Sequence, residues 1–280
     1  MLTNVLVGLA GTEYADAVIE TAVQLAVSHH VPVTAITAVD VHALRNVGPV
    51  PLGAAQAAQQ LREHRMKLTH EAIDHAIATF QARCNELDVS YEVKREERES
   101  PYDFLASQAR YHDLTVLSLR DIFHYDIRMS GDEDAGITLA KLIASGVRPI
   151  LAVPAKYRQV KRVFVAYSGS IESAATLRRF LQLRLYDDIE LCIGTFDMDE
   201  ERGQRLLAHA ANYCLGHGIK ADTVYVPESA RDHLLPEADR HNADLIVLGN
   251  SAKNLLLRRV FGETALRAIR ESELPLFLSQ

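Results

Sequence analysis

The sequence predicts an α/β protein of two tandem doubly wound domains, residues 1–155 and 160–280, each built on a five-stranded parallel sheet. Three observations carry this reading. Apolar runs of strand length alternate with stretches of helical periodicity along the whole chain, the pattern of a parallel sheet covered on both faces. The order of elements then repeats: Tyr111 to Leu117 (YHDLTVL) parallels Asn242 to Leu248 (NADLIVL), and Gly136-Ile-Thr138 parallels Gly262-Glu-Thr264 at equal distances before Pro149 and Pro275. Finally, apolar strands end in glycine just before a helix, at Gly11, Gly169 and Gly249. Such ends place backbone N–H groups and a helix N-terminus at the carboxyl edge of a sheet, where anions are held.

The elements follow in order. Val5 to Gly11 reads as a buried strand, and Ala17, Val18, Thr21, Ala22, Leu25 and Ala26 recur at helical spacing between Glu13 and His29. Val31–Val39 is a second strand, with Pro32 tolerated at its beginning. After a Gly/Pro loop at 46–53, a long helix is expected from Ala54 to Leu87, with Leu61, Leu68, Ala72, Ile73 and Ile77 as core contacts. Val89–Val93 alternates as a wetter strand; Ser100-Pro101 opens a helix; Asp113–Ser118 is a strand. Helix 136–145 and strand 148–153 complete the first domain. The second repeats the series: strand 162–169, helix 173–183, strand 188–193, helix 202–215, strand 219–226, helix 230–241, the strand at Leu245, the helix from Gly262, and strand 274–278. Lys156–Lys161 is the joint.

Composition bounds the function. The 280 residues suffice for two cores, and 48% hydrophobic with 24% charged residues is a soluble, globular balance. A net charge of −7 argues against nucleic acid or an anionic membrane as partner. Cys84, Cys192 and Cys214 form no CxxC pair, which suits a reducing compartment and supplies neither a disulfide framework nor a zinc site. The first strand begins near Asn4, and no apolar run approaches the about 20 residues of a membrane span, so the cytoplasm is the expected setting. His70 and His75, five apart on a helix, cannot chelate together, and Asp132-Glu-Asp134 has too few oxygen positions for calcium. No metal of its own is expected.

On these residues both halves resemble the universal stress protein (UspA) family, over nearly the whole chain. Nucleotide-binding members of that family carry Gly-x2-Gly-x9-Gly-Ser/Thr after the fourth strand and an Asp-Gly-Ser-like turn after the first. Gly249, Ala252 and Gly262 fall in the register of the first motif, and Tyr167-Ser168-Gly169-Ser170 in that of the turn. The resemblance implies an adenine-nucleotide alpha-hydrolase-like sheet ordered 3-2-1-4-5, domains paired through their last strands, and a binding or signalling role in stress physiology without a demonstrated turnover reaction. It leaves open the protein partner and whether chains dimerise again.

The departures narrow the expectation. Ala252 stands where the family has glycine, Ser168 where it has aspartate, and Glu263 where it has Ser/Thr, with Thr264 one residue on. In the first domain Ser118 replaces the first glycine and Ala10 the aspartate, and the longer loop carries Asp121, Asp126, Asp132, Glu133 and Asp134, a field hostile to polyphosphate. At most weak binding of ATP or another adenine nucleotide is therefore expected, in the second domain, within a cleft of Tyr167, Ser168, Gly169, Thr195, Gly249, Ala252, Gly262 and Thr264. No residue is assigned a catalytic role. Two alternatives stay open: an ATP-using enzyme of the ATP-pyrophosphatase type through Ser168–Ser173, a degenerate Ser-Gly-Gly-x-Asp-Ser loop, or a purely structural stress factor with vestigial clefts. Leu255–Leu257 with Val260 and Phe261 forms an apolar stretch that either packs on its own domain or forms an exposed patch that covers the cleft or joins another subunit.

Overall fold

The computed structural model of the chain describes residues 1–9, 14–39, 41, 44, 46–48, 50, 51, 53–97, 100–120, 122, 123, 135–147, 149–249 and 262–279. Among them, the first half contains strands β1 (Val5–Gly8), β2 (Val33–Ala38), β3 (Tyr91–Glu96), β4 (Leu114–Ser118) and β5 (Ile150–Val153). Its helices are α1 (Ala15–His29), α2 (Ala55–Glu86), α3 (Pro101–Ala109) and α4 (Ala135–Ala144). The second half contains β6 (Arg162–Ala166), β7 (Glu190–Phe196), β8 (Ala221–Val226), β9 (Leu245–Gly249) and β10 (Leu276–Ser279). Its helices are α5 (Ile171–Leu183), α6 (Glu200–Gly216), α7 (Ala230–Arg240) and α8 (Glu263–Glu271).

Two separate sheets are the sequence expectation; the structure instead has one ten-stranded sheet in the order β3-β2-β1-β4-β5-β10-β9-β6-β7-β8. Each half keeps the order 3-2-1-4-5 with parallel neighbours. The join is an antiparallel ladder between the two last strands, with Phe277 opposite Leu151 and Leu278 opposite Ile150. Its cause is the sequence of those strands: ILAV and LFLS are buried at every position. An apolar edge exposed to water invites pairing, and here each half pairs the other. Because the join is antiparallel, the carboxyl edge of one half's strands lies at the amino edge of the other's.

The core is two continuous layers. One face of the sheet packs α1, the end of α2, α5 and α6; the other packs α3, α4, α7 and α8, and each apolar cluster runs across the join. Phe180 meets Phe277 edge to face at 5.3 Å on the first of these faces. The long helix departs from the sequence reading in its buried stripe. Thr69, Ile73, Ala76, Phe80 and Cys84 are buried, whereas Leu61 and Leu68 are 41% and 39% exposed. No helix among the described residues is long and apolar enough to cross a membrane.

Candidate functional site

In each half the first strand pairs with the second on one side and the fourth on the other, so the crossovers diverge between the first and fourth strands. Ligands of doubly wound sheets lie at the carboxyl end of such a point. The registers make Gly8 the counterpart of Ala166, Thr37 of Thr195, and Ser118 of Gly249.

The first half is closed there. Gly8, Leu9, Ser118 and Leu119 are buried, and Ile122 and Phe123 are 4% and 9% exposed. The Phe123 ring lies about one van der Waals contact from Gly8, 3.5 Å from where a Cβ on that residue would stand, and it also meets Tyr102 at 6.5 Å. Apolar filling is thus the feature of this end among the described residues. The acidic residues expected to repel phosphate, Asp121, Asp126 and Asp132 to Asp134, lie outside the described residues, as does Ala10. Phe123 carried no sequence signal; a lone aromatic after a polar turn does not announce where it packs.

The second half is open at the same place. Ala166, Tyr167, Gly249, Gly262 and Thr264 are half-buried, and Ser168 and Gly169 are exposed. The turn after β6 bends through Gly169 at φ 71°, in the left-handed region that favours glycine. Ser170 then caps α5, its hydroxyl accepting from the Ser173 N–H at 3.1 Å. Ser168 donates to the Ser173 hydroxyl at 3.3 Å, and Ser173 donates to the Ser170 carbonyl at 3.0 Å. The Ser168 and Ser173 hydroxyls are therefore both donating within the turn, and that of Ser170 accepts from its backbone. Thr195 is fully buried and donates to the Tyr167 carbonyl at 2.9 Å, holding the end of β6 against β7. Burial, with the nearby Cys214 adding to it, pushes the Tyr167 phenol above its ordinary value, so that it stays a neutral hydroxyl at physiological pH.

Gly249 has a reason that sequence spacing did not reveal. A Cβ there would stand 2.6 Å from the Ser173 Cα and 2.9 Å from its nitrogen, so the glycine admits the first turn of α5 onto the end of β9. Gly169 is similarly overlain: Leu206 of α6 would meet a Cβ at 2.3 Å. Ala252 lies outside the described residues, as do Leu255–Leu257, Val260 and Phe261.

The remaining donor set belongs to α8. Gly262 is its N-cap and offers no side chain, and the first helical bond runs from the Leu266 N–H to the Gly262 carbonyl at 3.1 Å. The N–H groups of Glu263, Thr264 and Ala265 precede that bond and have no intrahelical acceptor. Glu263 does not cap them either; its carboxylate accepts from Arg231, at the start of α7, at 3.0 Å. Among the described residues, Arg202 at the start of α6 lies 3.5 Å from Asp197, and Arg267 in the middle of α8 bonds Asp232 and Glu271. No side chain among the described residues caps the start of α8, and a phosphate group fits its N–H donors and the positive end of its dipole; the internally bonded serine turn offers it little. Among the described residues no group of three or more His, Cys, Asp or Glu is placed to hold a metal ion.

Comparison with known proteins agrees with this architecture. The model of the universal stress protein family matches residues 1–119 and 194–279. Universal stress protein Slr1230 of Synechocystis is 22% identical over 142 residues, half of this chain and half of that protein, so the match spans about half the relative's length. A universal stress protein from Archaeoglobus fulgidus superimposes over 99% of this chain and 96% of its own, with TM-score 0.64 at 14% identity. A putative universal stress protein from Pseudomonas aeruginosa does so over 99% and 93%, with TM-score 0.61 at 12% identity. With one sheet built from two like halves and the family's pattern recognised in both, the chain belongs to the universal stress protein family, as a tandem member.

Proposed function

We propose that this protein is a binding and signalling component of stress physiology rather than a catalyst, and that adenine nucleotide enters only its second half, weakly. The observation that carries the reading is the contrast between the two switch-point ends: Phe123 and Leu119 fill one, while Gly249, Gly262 and Thr264 remain half-open at the other. The start of α8, which no side chain among the described residues caps, supports an anion at that end. Weakness follows from the described residues of the mouth, where Arg231 already pairs with Glu263 and the Ser168 hydroxyl with that of Ser173. A dissociation constant of about 0.1–1 mM, or about −5 kcal/mol, is the expected range.

The test is thermal unfolding of the full chain against ATP concentration, with chromatography of the nucleotide before and after. At ten times the dissociation constant, ATP should stabilise the fold by about 1.4 kcal/mol by mass action and be recovered intact. Gly262→Val should remove that stabilisation without lowering the melting temperature in buffer. No stabilisation at 10-fold above about 1 mM would favour vestigial clefts, and its survival in Gly262→Val would displace the site. Release of AMP and pyrophosphate with a cosubstrate would make the protein an enzyme.

A further inference from the structure

The antiparallel join brings a side chain of the closed half to the helix that opens the other. Arg120 lies two residues past β4, at the carboxyl end of the first half, and its own N–H donates to the Ser118 hydroxyl at 3.2 Å. Its guanidinium crosses the join and donates to the carbonyls of Arg270 and Ser272, the latter at 2.8 Å, with the Glu273 carboxylate 4.0 Å away. Arg270 is in the last turn of α8 and Ser272 is its C-cap. Carbonyls at a helix C-terminus have no further intrahelical donors, and a cation there also meets the negative end of the dipole. The opposite end of the same nine-residue helix is Gly262 and Thr264, on the rim of the second cleft. At 1.5 Å per residue the two ends are only about 13 Å apart.

We infer that Arg120 is a positioning residue for the second-half cleft, fixing the axial placement of α8 from its C-terminal end so that its first N–H groups stand where an anion is met. The inference rests on the functional reading above for the identity of the anion, but the mechanical link does not. A helix of two and a half turns is stiff along its axis, so a restraint on its last carbonyls is felt at its first amides. Around it, α8 otherwise leans on α7 and α4. The first half has filled its own cleft, and Arg120, just past its fourth strand, braces the other.

The experiment compares wild type, Arg120→Ala and Arg120→Lys as full chains, by amide hydrogen exchange without nucleotide and by titration with ATP. Two amides report the two ends: Ser272 N–H, bonded to the Ala268 carbonyl at 2.9 Å, and Leu266 N–H, bonded to the Gly262 carbonyl at 3.1 Å. In Arg120→Ala both should exchange about tenfold faster, and ATP affinity should fall about fivefold. Lys keeps the charge but not the two-pronged donor, so Arg120→Lys should be intermediate. Faster exchange at Ser272 with Leu266 unchanged would overturn the inference and leave Arg120 as a local cap. Faster exchange at both, with ATP bound by none of the three proteins, would uphold the link and overturn the nucleotide reading alone.

Discussion

At the scale of single residues, Gly249 decides how closely β9 and α5 approach. Adding a methyl group there places it 2.6 Å from backbone, not from a flexible side chain that can turn aside. Gly249→Ala should therefore destabilise the protein by about 1–3 kcal/mol, read as a lower urea midpoint at unchanged slope. That glycine was visible in the sequence, and its position after an apolar run marked a special backbone site. The sequence offered an approaching anion as the reason; the approaching backbone of Ser173 is a long-range contact that no spacing encodes. Thr195 is similar: the sequence offered its hydroxyl as a cleft contact, but the residue is fully buried and that hydroxyl serves the Tyr167 carbonyl. The filling of the first cleft by Phe123 was not legible, because the packing of one ring against Gly8 is a long-range contact that the charges of the loop do not reveal.

At the scale of elements, α2 shows where periodicity carries information and where it does not. Its buried stripe begins only at Thr69, and none of the residues from Ala55 to Leu68 is buried. A polar, Ala/Gln-rich stretch satisfies helix propensity without choosing a face, so the helix was legible and its orientation was not. Leu61→Gly should accordingly cost only about 1 kcal/mol, the propensity difference, whereas Ile73→Ala, at a fully buried position, should cost about 2–5 kcal/mol. Chemical denaturation of the two variants side by side checks the contrast. The same helix is tied to α1 by Arg83, which donates to both Glu20 oxygens at 2.7 and 2.8 Å. Those bonds hold the Glu20 carboxyl below its ordinary 4.5. A carboxylate depressed in the folded state stabilises fully above its unfolded value, and that contribution is lost as pH falls through the folded one. The fall in stability below about pH 4.5 should be shallower in Glu20→Gln, measured by urea unfolding across that acid window. Strand β3 extends to Glu96, beyond the apolar alternation, because an edge strand tolerates charged residues on both faces, with Lys94 half-buried and Arg95 exposed.

At the scale of the whole molecule, the join changes what counts as a unit. The repeat and the adjacency of the first and fourth strands were legible from local patterns and crossover rules, and the full strand order within each half from the family resemblance. Pairing through the last strands is what the family resemblance implies, and the β5–β10 ladder is that pairing; from the residues alone it was not legible, because nothing in ILAV or LFLS says which apolar edge will be met. With both core layers continuous across β5 and β10, the halves should unfold together. Calorimetric and van't Hoff enthalpies should agree, and tyrosine fluorescence and far-UV circular dichroism should give one transition; two resolved transitions would show that the join is weaker than its burial suggests.

The reversal at that ladder also settles what a neighbour can see. One mouth looks up and the other down, so no flat surface, however broad, covers both at a time. A partner resting on the sealed pole leaves the unsealed one in solvent, and the short rod of α8 runs between them.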